Sequence, residues 1–168
     1  MCDTGWGVSL DAQQLAGGGL HLVANVPGSL RLQATDWRLP TAALAAWLPV
    51  VEQLQMGGEM RLTGETQIQG KTVFTLRWQG EIGEFSIGEQ ILEIEGVNNR
   101  FDLRFAPKAE GPVRLEGGVV CDVGSTLSRC RGEVFVVSSG LDAKFDQLLQ
   151  AAGQTVAPGR YRFKVDAQ

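Results

Sequence analysis

Along nearly the whole length of this 168-residue chain, apolar side chains recur at every second position. A period of two belongs to an extended backbone whose two faces meet different surroundings. The pattern therefore commits most of the chain to pleated sheet, dry on one face and wet on the other. Leu20, Leu22, Ala24 and Val26 alternate with His21, Val23 and Asn25, and Leu30, Leu32 and Ala34 resume after Pro27-Gly28. Met60, Leu62, Gly64, Thr66 and Ile68 lead through Gln69-Gly70-Lys71 to Phe74, Leu76 and Trp78, with Arg61, Gln67, Thr75 and Arg77 pointing the other way. Leu92 and Ile94 are followed across Asn98-Asn99 by Phe101, Leu103 and Phe105, set against Glu93, Glu95, Arg100, Asp102 and Arg104. Val113, Leu115 and Val119-Val120-Cys121, then Arg131 to Val137, then Tyr161, Phe163 and Val165 complete the series. The spacing predicts roughly ten strands of about five or six residues each, paired with antiparallel neighbours.

Two segments break the period. Pro40 through Leu48 predicts a short helix with Thr41 as N-cap and Pro49 as its stop. A second helix is predicted from Ser139 or Gly140 to Gly153, where Leu141, Phe145, Leu148, Leu149 and Ala152 draw one apolar stripe and Asp142 suits the positive end of the first turn. The expected architecture is mainly β: a curved antiparallel sheet or β-sandwich with two short helices packed on it. A single domain over residues 1–168 is expected, with a weak internal duplication of about 20–80 against 90–168, because each helix is followed by a Gly loop and a strand.

Hydrophobic residues make up 43% of the chain and charged residues 20%, enough apolar surface to bury a core. The 15 basic and 19 acidic residues are scattered, leaving a net charge of −4 and no basic stripe, which argues against a nucleic-acid partner. Leu39–Val51 falls short of the roughly 20 apolar residues that a spanning helix needs. The opening Met1-Cys2-Asp3-Thr4-Gly5 has neither the basic nor the apolar part of a secretory signal.

Catalytic chemistry has little to work with. His21 is the one imidazole, and the alternation sets it on the wet side of its strand, opposite in sense to Leu20 and Leu22. Glu93 and Glu95 fall on a wet face, with Glu81, Glu84 and Glu89 among glycines nearby, so an acid-base pair is not expected. Gly17-Gly18-Gly19 and Gly117-Gly118 lack the following Lys-Ser or Lys-Thr of a phosphate loop. No cofactor, metal or catalytic residue is assigned, and the chain is expected to be no enzyme. Trp6, Trp37, Trp47 and Trp78 are read as anchors of helix on sheet.

Cys121 and Cys130 flank an expected turn at Asp122–Thr126. They either face one another across a hairpin as a disulfide, which would place the protein in an oxidising compartment, or remain two separate buried thiols. Cys2 is read either as a free thiol or as an addition to the natural chain. With no Cys-x-x-Cys pair and a single distant histidine, a metal site is disfavoured.

The order of several short motifs resembles protein N of the bacterial type II secretion system. Leu39-Pro40 through Trp47-Leu48-Pro49, then Met56-Gly57-Gly58-Glu59-Met60-Arg61-Leu62, is similar to that family's helix followed by a Gly-led strand. Phe74-Thr75-Leu76-Arg77-Trp78 looks like its strand ending in tryptophan. Gly111-Pro112-Val113-Arg114-Leu115-Glu116-Gly117, Arg131-Gly132, Phe145 through Gly153, and Gly159-Arg160 extend the likeness, which covers about 29–165. The resemblance implies a β-rich periplasmic domain of an inner-membrane protein, belonging to an apparatus that exports folded proteins. It implies an N-terminal anchor helix outside this sequence, other secretion subunits as partners, and no catalytic or metal residues. A Cys121–Cys130 bridge would be at home in that compartment. The function expected is that of a non-enzymatic accessory subunit acting through protein contacts, with a lipid-binding or lipid-bridging β-groove protein of the envelope as the rival reading.

Overall fold

The alternating runs pair largely in the order in which they occur. The computed structural model describes residues 6–9, 19–25, 29–44, 50–67, 71–106, 111–124, 128–139 and 142–167. Its strands are β1 (Trp6–Ser9), β2 (Gly19–Asn25), β3 (Ser29–Pro40), β4 (Met56–Gln67), β5 (Lys71–Ile82), β6 (Phe85–Val97), β7 (Arg100–Phe105), β8 (Val113–Val123), β9 (Ser128–Ser138), β10 (Gln154–Ala157) and β11 (Arg160–Ala167). They form one 11-stranded sheet in the order β1-β2-β3-β4-β5-β6-β7-β8-β9-β11-β10, and every pairing is antiparallel. The fold is thus mainly β, and of the two architectures expected it is the curved sheet.

One sheet alone would leave its dry face in water, so the sheet curls until its two halves share a core. Met60, Leu76, Trp78 and Leu92 on β4–β6 join Leu115 and Val136 on β8–β9 and Tyr161 and Phe163 on β11 in a single buried cluster. Bulges help the bend. The β3–β4 register shifts between Ala34 and Trp37, where Asp36 takes φ +48°, and the β5–β6 register shifts at Gly80/Glu81. Two glycines make room for rings on the inner face. A Cβ at Gly80 would lie 2.7 Å from the Trp78 indole, and one at Gly96 would lie 2.5 Å from the Phe101 ring on the neighbouring strand.

Of the two helices expected, one forms. Helix α2 (Ala143–Ala152) follows a single helical turn, α1 (Val50–Gln53). The Asp142 carboxylate accepts from the Lys144 backbone N–H at 2.9 Å and so acts as N-cap rather than as a first-turn residue. Phe145 and Leu149 are fully buried, and the Phe145 ring meets Phe85 edge-on at 5.1 Å. The segment expected to run as a helix from Pro40 to Leu48 instead begins as a 3-10 turn, Thr41–Leu44. Residues 45–49, with Trp47, lie outside the described residues. The reason is visible at Thr41. Its hydroxyl does not cap; it is buried, donates to the Gly58 carbonyl at 2.8 Å and accepts from Trp78 Nε1 at 3.0 Å.

Strand β7 stops at Phe105, so β6 and β8 lose their common neighbour toward the helix end of the sheet. Gln90 fills that gap. Its side-chain amide, 1% exposed, donates to the Val113 carbonyl at 3.0 Å and accepts from the Leu115 N–H at 3.1 Å. These are backbone groups that a longer β7 would have met.

Candidate functional site

The inner face of the curled sheet forms a trough. One wall is built by β4, β5 and β6, where Met60, Leu76, Trp78 and Leu92 point inward; the other is built by β8, β9 and β11, with Leu115, Val136, Phe163 and Val165. Between them lies a cavity of about 70 Å³. Among the described residues only Thr41, Trp78 and Gln90 bring hydrogen-bonding side-chain atoms to its lining, and all three spend them on the protein itself.

The two ends of the trough differ. At the helix end α2 and Leu54 seal it, with Ile82, Ile87, Phe145 and Leu149 at 2% exposure or less. At the other end, where β4, β6 and β8 finish and β5, β7 and β9 begin, Phe74, Ile94, Phe101 and Leu103 remain half-buried. Across from these, the turn end of β8–β9 is tied by a disulfide. Cys121 and Cys130 stand directly opposite each other in the register with Cα atoms 4.1 Å apart, bonded to one another and packed with Val119 and Val165. Of the two states left open by the sequence, the structure takes the bridged one.

The outer face is polar. Glu93 and Glu95 are exposed and stand opposite Arg104 and Asp102 of β7. Arg104 reaches both carboxylate oxygens of Asp102, at 3.0 and 2.6 Å, and these hydrogen bonds raise its pKa. Arg114 and Arg160 converge on Glu116, each at 3.1 Å, and the Arg160 guanidinium lies 4.7 Å over the Phe135 ring. Such exposed pairs add little stability and keep the face wet. Glu81, Glu84 and Glu89 are exposed as well. Inside the core, burial raises the pKa of Tyr161, whose side chain lies beside Gln150 and Asp146 of α2.

Among the described residues no three His, Cys, Asp or Glu side chains come together as a metal site, and no helix is long and apolar enough to cross a membrane. His21 falls in β2 opposite Gln33, with its side chain outside the described residues. Trp78 ties the 3-10 turn after β3, where a helix was expected, onto the sheet; Trp37 sits half-buried in β3, and the Trp6 and Trp47 side chains lie outside the described residues. Sequence reasoning missed the trough's polar fixtures, Thr41 and Gln90. A polar residue on the dry phase of a strand, as Gln90 is between Ile87 and Leu92, was the available signal.

A family model described as type II secretion system (T2SS), protein N matches residues 4–164. Comparison with curated proteins and with solved structures gave no match.

Proposed function

The chain belongs to the type II secretion system protein N family, and from that premise we propose that it is a non-enzymatic accessory subunit of the secretion apparatus, working through protein contacts in the periplasm of a cell whose inner membrane it is anchored to. The match over residues 4–164 carries this reading. The disulfide supports the compartment, because such bonds persist where the surroundings are oxidising. The sheet supports the mode of action. Its β10 edge consists of four exposed residues, Gln154–Ala157, with Val156 52% exposed, and a free edge recruits strands from other chains.

The test is photo-crosslinking in secreting cells. A photoreactive residue at Val156 should yield an adduct with another subunit of the apparatus, while the same residue at Glu93, on the wet face of β6, should yield markedly less. Absence of any adduct with a secretion subunit from Val156, Val73 and Val97 would reject protein docking as its role.

A further inference from the structure

The part of β11 that β10 leaves uncovered carries its own complement. β10 pairs with Arg160, Tyr161 and Arg162, so from Phe163 onward β11 has β9 on one side and, among the described residues, no strand on the other. In an antiparallel strand the N–H and C=O of one residue point to the same neighbour, and those of the next residue point to the other. Gly159 directs its carbonyl to the β9 side, where the Ser138 N–H donates to it at 2.7 Å. By that alternation Tyr161, Phe163 and Val165 also bond toward β9, and Arg160, Arg162, Lys164 and Asp166 point away from it. Arg160 and Arg162 meet β10 there, opposite Ala157 and Gln154. Lys164 and Asp166 thus present their main-chain donors and acceptors along the open margin.

The side chains at these two positions are exposed, a cation and an anion on the wet face with the buried Val165 between them on the dry one. Neither takes part in an ion pair among the described residues. The residues opposite them on β9 are Glu133 and Arg131, and both are engaged elsewhere: Glu133 with Arg162 and Arg131 with Asp122, each at 3.7 Å. Unused backbone groups and unused charges therefore coincide at Lys164 and Asp166.

From this coincidence we propose that β11 pairs antiparallel with β11 of a second copy of this chain, about a two-fold axis through Val165 perpendicular to the sheet. Lys164 then stands opposite the second copy's Asp166, and Asp166 opposite its Lys164. Each of these pairs exchanges backbone hydrogen bonds and closes an ion pair on the wet face, while the two Val165 side chains meet on the dry face. Only one register does this. A slip of one residue sets wet positions against dry ones, and a slip of two sets Lys164 against Lys164 or Asp166 against Asp166. An edge lysine ordinarily keeps identical edges apart, and here Asp166 lifts that bar in a single alignment. The same margin is used on both copies, so the contact closes as a pair and does not propagate as a fibre. It is short, and the pair is accordingly weak and reversible, with a dissociation constant of about 0.1–1 mM. This property goes beyond the accessory role and does not depend on it.

Sedimentation equilibrium of the whole chain up to about 1 mM tests it, with Cys2→Ser in every sample so that no intermolecular disulfide contributes. The parent chain follows a monomer–dimer equilibrium. Lys164→Glu alone and Asp166→Lys alone each set like charges opposite one another in both pairs and weaken dimerisation about tenfold or more. Both sites are exposed, so the unfolding temperature stays unchanged. Mixed one to one, these two variants regain association to within about threefold of the parent, because every opposed pair is again a cation and an anion. The double variant Lys164→Glu, Asp166→Lys regains it by itself, and it decides the matter if either single variant fails to fold. A parent chain that stays monomeric throughout, a dimer indifferent to both single changes, a mixture that associates no better than its components, or assemblies that grow beyond two copies overturn the proposal.

Discussion

Gln90 shows how much a single side chain does in this sheet. Its amide stands in for a piece of missing strand, so removing it orphans the Val113 carbonyl and the Leu115 N–H in a sealed part of the core. A buried orphan costs about 1–3 kcal/mol. The shape-matched variant Gln90→Leu is therefore expected to lose about 3 kcal/mol of stability in urea unfolding, and a loss under about 0.5 kcal/mol would mean that the gap closes in some other way. This role was legible only as an anomaly. The sequence places a glutamine on a dry phase, but what it bonds depends on β7 ending fifteen residues later at Phe105. Thr41 misled for a related reason. A threonine ahead of an alanine-rich run has the form of an N-cap, and only the tertiary demand of the buried Trp78 N–H turns its hydroxyl inward.

Among the elements, the β8–β9 hairpin is the one stapled covalently. A disulfide closing a loop of this length contributes about 2–3 kcal/mol by restricting the unfolded chain. Reduction, or the Cys121→Ser, Cys130→Ser variant, should lower stability by that amount in denaturant titrations and leave the far-ultraviolet circular dichroism unchanged, because the β8–β9 ladder from Val113 to Val119 does not need the bond. Loss of the β signal on reduction would instead make the bond a condition of folding. Elements differed in how far the sequence revealed them. β6 reads as starting near Leu92, yet it runs from Phe85. Its dry residues switch phase between Ile87 and Gln90 at the bulge that includes Gly88, φ +78°, and a phase switch hides a strand from any search for period two. β10 has no dry face, all four of its residues being exposed, so it has no period to find.

At the scale of the molecule, alternation announced one dry face and one wet face but was silent on whether two sheets pack or one sheet curls. Both arrangements bury every second residue, and the difference lies in long-range pairing. The curled sheet concentrates its packing at the middle. β5 and β6 pair along their whole lengths and carry Leu76, Trp78, Ile82, Ile87 and Leu92, whereas β10 touches a single neighbour at the rim. Hydrogen exchange is accordingly expected to be slowest at the amides of β5 and β6 and fastest at those of β10. Uniform protection across the sheet would contradict a structure held from its centre.

The outermost ladder is shorter than the strand it covers. β10 pairs with Arg160, Tyr161 and Arg162, while β9 pairs with all of β11 through Ala167. Among the described residues, Phe163 to Ala167 therefore keep one side of their main chain vacant, which leaves a stepped margin instead of a straight one. The step is about five residues long and is bounded by the end of α2, where a Cβ at Gly153 would meet the Phe163 ring. Lys164 in the middle of the notch is exposed, a charge of the kind that keeps identical edges from pairing out of register.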